Sequence, residues 1–198
     1  MNKPLTIGIT GGIGSGKSVV CRVFESLGYP VYYADDRAKI LLRDNLAVRD
    51  KVVETFGEDS YKNEEPNRLY LAERVFSDEA ELEKLNAIVH PAVARDFERF
   101  IVENDSYQLI LKEAALLFET NSYKRLDKNV AVIAKKEIRL NRVLIRDTHR
   151  TEKQVEEIMA KQTSDGQRRK LADFLISNNG KELIIPQVMK IYQAQTGN

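Results

Sequence analysis

Residues 5–18 read Leu5-Thr6-Ile7-Gly8-Ile9-Thr10-Gly11-Gly12-Ile13-Gly14-Ser15-Gly16-Lys17-Ser18. A β-favouring run stops at a cluster of glycines, and Gly11 to Ser18 match G-x-x-x-x-G-K-[ST], the P-loop pattern. Glycines let backbone N–H groups turn inward onto phosphate oxygens that side chains would obstruct. A helix N-terminus following such a loop adds its positive end and its unpaired donors. Lys17 is then placed to reach the outer phosphates, and the Ser18 hydroxyl to ligate Mg²⁺. A glycine-rich turn with no ligand is the competing reading of the bare pattern, so the context matters. Val19, Val20, Val23, Phe24 and Leu27 recur at helical spacing, and Gly28 ends that helix. Tyr29-Pro30 breaks the chain, and Val31-Tyr32-Tyr33-Ala34 reads as a second strand. Strand, loop, helix and strand within about thirty residues make a βαβ unit, hence a parallel sheet covered by helices. The expected fold is α/β: a three-layer P-loop NTPase with Gly12, Ile13, Gly14, Ser15, Gly16, Lys17 and Ser18 holding the phosphates of a nucleotide.

Beyond Asp36 the pattern is helical for a long stretch. The spacing predicts helices over 37–43, 46–56, 67–76 and 78–89, with Asp78 and Glu81 as a capping pair. Pro91 suits the first turn of a further helix carrying Val93, Phe97, Phe100 and Ile101. Strands resume at 108–111 and 129–133. A basic helix is predicted over 136–146, and Thr151 with Gln154 forms a capping box for the next one. A last strand, 174–177, meets the turn Asn178-Asn179-Gly180 before a terminal helix. The organisation read from this is one chain over 1–198 with its core at about 1–36, 105–134 and 171–198. A helical insertion spans about 37–104, and a basic helical excursion spans about 135–170.

The chain has 198 residues, with 31 Lys+Arg against 30 Asp+Glu and a net charge of +1. That balance argues against a general nucleic-acid binder, whose basic face raises the pI. It hides two blocks of opposite sign. Acids dominate 54–83, whereas Lys135, Lys136, Arg139, Arg142, Arg146 and Arg150 dominate 135–150. Most side chains of the two blocks read as solvated helix faces. Arg168, Arg169 and Lys170, outside both blocks, read either as a second phosphate-facing edge or, in preference, as solvated charge. No apolar run approaches the roughly 18 residues of a membrane span. Residues 1–10 are too short for a signal peptide. The single Cys21 cannot form an internal disulfide, so a reducing cytoplasm is the expected compartment. It reads as a small buried apolar side chain. Nothing in the sequence sets an oligomeric state.

A regulatory GTPase needs D-x-x-G and N-K-x-D, and neither occurs in this chain. A motor or nucleic-acid ATPase needs more length and a wider basic surface. A small-molecule kinase therefore leads, and it needs a carboxylate for the acceptor hydroxyl. Asp35-Asp36 follows the strand 31–34 directly, and ligands of open parallel sheets bind off the carboxyl ends of the strands. A carboxylate there can orient, or take the proton of, an attacking hydroxyl. It can equally N-cap the helix that follows. Glu113, ending a predicted strand, is either a holder of Mg²⁺-bound water or a plain surface carboxylate.

With these residues in place the chain resembles the dephospho-coenzyme A kinase family. The resemblance runs through Thr10 to Ser18, Tyr33-Ala34-Asp35, His90-Pro91, Leu116-Leu117-Phe118-Glu119, Arg146-Asp147, and Ala172-Asp173-Phe174 to Asn178-Asn179-Gly180. The segments keep the family's order over nearly the full length. The resemblance implies ATP-dependent phosphorylation of the ribose 3′-hydroxyl of 3′-dephospho-CoA, with a CoA-binding helical insertion and a lid. It places Asp35 on the catalytic carboxylate, Arg146 on the lid arginine that contacts the nucleotide, and Asn178 and Asn179 where the adenine-side loop closes. His90, Phe118 and Glu119 become candidates for contact with the acceptor. Ala115 stands where the family often has Pro, Tyr33 where it often has Asp, and Lys39 where it often has His. Other nucleoside, nucleotide or shikimate-type kinases, and a non-catalytic nucleotide-binding module, stay open on the residues alone.

Overall fold

The computed structural model describes residues 3–197, with the side chains of residues 76 and 77 left aside; Met1, Asn2 and Asn198, at the ends of the expected core, lie outside the described residues. The elements in chain order begin β1 (Leu5–Thr10), α1 (Lys17–Ser26), β2 (Val31–Tyr33), α2 (Ala34–Asp44), α3 (Leu46–Phe56), β3 (Tyr61–Lys62), β4 (Glu65–Pro66), α4 (Arg68–Ser77) and α5 (Glu79–Glu103). They continue with β5 (Leu109–Glu113), β6 (Lys128–Ile133), α6 (Lys136–Arg146), α7 (Glu152–Ala160), α8 (Asp165–Leu171), β7 (Phe174–Ser177) and α9 (Ile184–Thr196). Two compact units divide them: Met1–Tyr33 with Asn104–Asn198, and Ala34–Glu103.

The first unit is built on a parallel sheet in the order β2-β5-β1-β6-β7. Its fold class is the α/β arrangement that the βαβ pattern predicts, but β2 is not the neighbour of β1. β5 lies between them, pairing Ile7 with Leu111 on one side and Val31 with Leu111 on the other. All five residues of β5 are buried, as an inner strand flanked on both sides requires, whereas the three-residue edge strand β2 has only Tyr32 fully covered. Ile7, Ile9, Leu109, Leu111, Val130, Val132 and Ile176 share one face, covered by Val20, Cys21 and Phe24 of α1 and by Val188 and Ile191 of α9. Each such side chain is worth about 1.5–3 kcal/mol relative to exposure. On the opposite face Gly8 admits Leu117 and Leu126, whose methyls lie 2.6 and 2.7 Å from where a Cβ would stand.

The second unit is helical, as expected for that stretch, with one addition and one correction. Asn45 and Asn67 cap α3 and α4 by accepting the N–H of Val48 and Tyr70. The addition is the two-residue pairing of β3 with β4, turned by Asn63 and Glu64 at positive φ. The correction is α5, a single 25-residue helix with Pro91 inside it rather than a break followed by a new start. Pro91 cannot donate to the carbonyl of Ala87, and both residues are exposed, where an unpaired backbone group is least costly. Asp78 caps the start of α5 through the N–H of Ala80 at 2.9 Å, while Glu81 is spent on Lys84 rather than on a reciprocal cap. Arg37 binds Asp96 in a fork of 2.7 and 2.8 Å, tying α2 to α5.

Candidate functional site

The phosphate cradle forms where β1 ends. Gly16, in the left-handed region at φ 97°, precedes α1, and no acid occupies the first turn of that helix. Its N-terminal positive end is therefore uncompensated by the chain, which suits an anion. Ser15 N–H closes a turn on the Gly12 carbonyl at 3.0 Å. Lys17 Nζ donates to the Gly11 carbonyl at 3.0 Å and stands 3.8 Å from Glu113 Oε1 at the end of β5. Glu113 is buried, so the surface-carboxylate reading of it is wrong: the inner position of β5 delivers it to the P-loop lysine. Ser18 lies exposed on the first turn of α1.

Cations from elsewhere in the same unit wall the loop. Arg139 and Arg168 come so close to Gly12 that a Cβ there would collide with Arg139 Nη1 and lie 3.3 Å from Arg168 Nη1. Arg142 reaches the Gly14 carbonyl at 3.5 Å and Asn178 Oδ1 at 3.2 Å. Arg139 is half-buried, and that burial, with Arg168 beside it, holds its guanidinium below the usual arginine range despite Asp165. Arg139 Nε and Arg168 Nη2 are buried with no hydrogen-bond partner among the described residues, as are Thr10 Oγ1 and Ser15 Oγ. Arg139 Nη1 and Arg168 Nη1 are the guanidinium atoms that approach Gly12, and guanidinium N–H groups gathered at a glycine loop suit an anion with several acceptor oxygens.

The reading of Arg168 as solvated charge is overturned. It is 1% exposed, held by Asp165 Oδ1 at 3.0 Å and lying 3.7 Å from Glu119 Oε1. A buried guanidinium needs such partners; Asp165 stands one helical turn before it, a local spacing, whereas Glu119 comes from a distant loop that no local spacing reveals. The stripe formed by Arg139 and Arg142 on α6 was legible, since i, i+3 and i+7 share a helix face. Arg146 is the third member of that stripe. It lies exposed at the end of α6, with Nε 2.8 Å from Asp147 Oδ1. That pairing raises the arginine and, with Arg150 and His149 near, holds the Asp147 carboxyl below its ordinary range.

The other expected residues fall as follows. Asn178 is buried and gives its amide to the Ser15 carbonyl at 2.8 Å. Asn179 accepts the N–H of Lys135 at 2.8 Å and donates to Ser177 Oγ at 2.9 Å. Asn178 thus braces the loop, and Asn179 the start of α6. Phe118 is buried, edge-on to Tyr123 at 5.2 Å between centroids, and Glu119 Oε1 accepts the N–H of Thr163 at 2.6 Å. Their contacts are internal to the first unit. Asp35 and Asp36 both lie within the first turn of α2, so neither is the residue before the helix. Asp36 binds Lys39 at 2.7 Å; Asp35 is exposed. His90 is exposed near the middle of α5. Gln162, whose Oε1 accepts the N–H of Ile13 at 2.8 Å, escaped the sequence reading altogether.

Ser18 and Glu113 offer hard oxygen donors of the kind Mg²⁺ takes, and two such residues are typical of a site completed by phosphates and water. Among the described residues no cluster of three or more His, Cys, Asp or Glu could hold a metal by itself. No helix among them is long and apolar enough to cross a membrane.

Comparison with known proteins agrees with this geometry. The family model described as dephospho-CoA kinase matches residues 5–183. The dephospho-CoA kinase of Salinibacter ruber is 41% identical over 178 residues, 88% of this chain and 89% of the relative. That of Aquifex aeolicus is 37% identical over 193 residues, 96% of this chain and 97% of the relative. The crystal structure of TT1252 from Thermus thermophilus superposes with a TM-score of 0.88 at 31% identity, covering 98% of this chain and 99% of that one. The dephospho-CoA kinase from Campylobacter jejuni gives 0.71 at 25%, covering 98% of each. A shikimate kinase from Acinetobacter baumannii, at 0.51 and 18%, covering 97% of this chain and 93% of that one, shares the fold. A P-loop walled by arginines at the carboxyl edge of a parallel sheet, with these matches spanning the chain, leads to one assignment: the chain belongs to the dephospho-CoA kinase family.

Proposed function

We propose that the chain transfers the γ-phosphoryl group of ATP to the ribose 3′-hydroxyl of 3′-dephospho-CoA, giving CoA and ADP, the last step of CoA synthesis. The observation that carries this reading is the family match over residues 5–183, joined to a phosphate cradle with orphaned buried guanidinium donors. In the transfer, the bond from the γ-phosphorus to the bridging oxygen breaks as the bond to the 3′-oxygen forms. The hydroxyl proton passes to the Asp35 carboxylate, and ADP leaves. Such a transition state is loose, so Asp35 chiefly aims the hydroxyl and takes its proton late. Lys17, Arg139, Arg142 and Arg168 offset the charge that develops on the phosphate oxygens. Arg146 extends the same stripe towards the nucleotide.

Ser18, with Glu113 through water, would hold Mg²⁺, and bound there the ion supplies charge neutralisation between the outer phosphates. Asn178 serves ATP by bracing the loop, and Asn179 by holding the start of α6. The helical unit Ala34–Glu103 is the acceptor-binding part, with His90 as a candidate contact, and residues 135–170 form the lid that excludes water. The contacts of Phe118 and Glu119 favour a structural task over contact with the acceptor. The charge balance supports a small-molecule acceptor rather than nucleic acid, and the single buried cysteine suits a cytoplasmic setting.

The test is an ADP-release assay over a panel of acceptors: 3′-dephospho-CoA, shikimate, nucleosides and nucleotides. ADP release that depends on 3′-dephospho-CoA is the expected result. Preference for another acceptor sinks the substrate assignment, and nucleotide binding without acceptor-dependent release sinks the kinase reading.

A further inference from the structure

The corner between α7 and α8 touches the P-loop through a side chain that neither the motif nor the charge pattern marks. Gln162 Oε1 accepts the Ile13 N–H at 2.8 Å. The other end of the same peptide group, the Gly12 carbonyl, accepts the Ser15 N–H at 3.0 Å. A planar peptide cannot rotate one end without the other, so this plane is fixed at both. Two residues on, Asn178 grips the Ser15 carbonyl at 2.8 Å, which fixes the plane whose opposite end is the Gly16 N–H.

We propose that Gln162 is a positioning residue of the phosphate cradle. Its carboxamide sets the Gly12–Ile13 peptide so that the loop's donors are arranged for an anion before nucleotide arrives. Affinity is gained because the ordering of a glycine-rich segment, the most flexible kind of backbone, has already been met during folding. Gln162 acts on the backbone and on no reacting atom.

Its own position is determined by a short relay. The next residue, Thr163, gives its N–H to Glu119 Oε1 at 2.6 Å. Buried Arg168 lies 3.7 Å from that same carboxylate oxygen and binds Asp165 Oδ1 at 3.0 Å. Glu119, Thr163, Gln162 and Ile13 thus connect the loop after β5 to the P-loop by way of the α7–α8 corner. Glu119 acquires a task in ATP binding without touching ATP. The inference rests on the P-loop holding the nucleotide.

The test uses the full chain. Gln162→Met keeps length and loses the acceptor; Gln162→Asn keeps the amide and loses the reach. ADP affinity is read by calorimetric titration with Mg²⁺ present, beside the KM values for ATP and 3′-dephospho-CoA and the melting temperature. Either variant is expected to weaken ADP by about fivefold or more, as for loss of one hydrogen bond in a preorganised site. KM for ATP rises in parallel, and KM for 3′-dephospho-CoA stays put. Glu119→Ala shows the same ATP-selective defect, and the Glu119→Ala/Gln162→Met double variant is no worse than the stronger single, because one relay is broken twice. Wild-type ADP affinity in both Gln162 variants, or defects that simply add, overturns the proposal. Wild-type protein that fails to bind ADP overturns instead the phosphate-site reading on which it rests.

Discussion

Asn178 holds the carbonyl of Ser15 at 2.8 Å across 163 positions of sequence. The phosphate loop written at the start of the chain is therefore shaped by a side chain written near its end. Asn178→Ala is expected to leave the sheet intact and weaken ATP by about fivefold or more, through loss of its hydrogen bonds to Ser15 and Arg142. Equilibrium titration with ATP checks this.

Lys17→Ala removes the cation that lies between the Gly11 carbonyl and Glu113. It leaves a buried carboxylate without its lysine, so both ATP binding and turnover are expected to fall. The two parameters separate in a steady-state titration of ATP, and unchanged ATP affinity contradicts the assignment.

Asp35→Asn is expected to preserve ATP affinity and reduce kcat by roughly 10²-fold or more, as for loss of a general base. Asp36→Asn, which breaks only the surface pair with Lys39, is expected to change kcat by less than about twofold. Turnover at equal, saturating substrate compares the two.

Arg168→Met is expected to lower stability together with turnover, Arg146→Ala turnover alone. Arg168→Met leaves Glu119 and Asp165 without their buried partner. Breaking such a cluster costs about 3 kcal/mol or more, a fall in Tm of roughly 6–12 °C. Arg146→Ala removes only an exposed pair with Asp147, so Tm holds while kcat falls. Thermal melts beside turnover read out both.

Gly14→Ala is expected to abolish ATP binding. Gly14 sits at φ 76°, and a Cβ would collide with the Arg139 backbone carbonyl, which cannot swing aside as a side chain can. Gly28 at φ 88° meets nothing within 4 Å, so Gly28→Ala pays only the left-handed strain of about 1–2 kcal/mol. Nucleotide titration and denaturant melts distinguish the two sites.

Much of this was legible in the residues. The P-loop, the parallel sheet, the span of α6 and the capping box of Thr151 with Gln154 follow from local spacing and side-chain chemistry. Three features resisted. β5 enters between β2 and β1 by pairing with segments far from it in sequence. Pro91 stays inside α5 at an exposed position, where a lost backbone hydrogen bond is least costly. Arg168 is buried between Asp165, one turn before it on α8, and Glu119 from a distant loop, and only the first of these is a local spacing. The site was legible where a motif fixes the backbone and illegible where distant side chains hold that backbone in place.

The place of β1 between β5 and β6 has a consequence for synthesis on the ribosome. The P-loop motif emerges with the first twenty residues, yet its strand has no partner until residues 109–113 and 128–133 follow. The brace from Asn178 comes later still. Ala34–Glu103 is continuous in sequence and carries its own ties, Arg37 to Asp96 among them, so it is free to fold first. The nascent chain thus carries a nucleotide motif long before it can grip a nucleotide, and truncated translation products, though they contain the whole P-loop, are inert towards ATP.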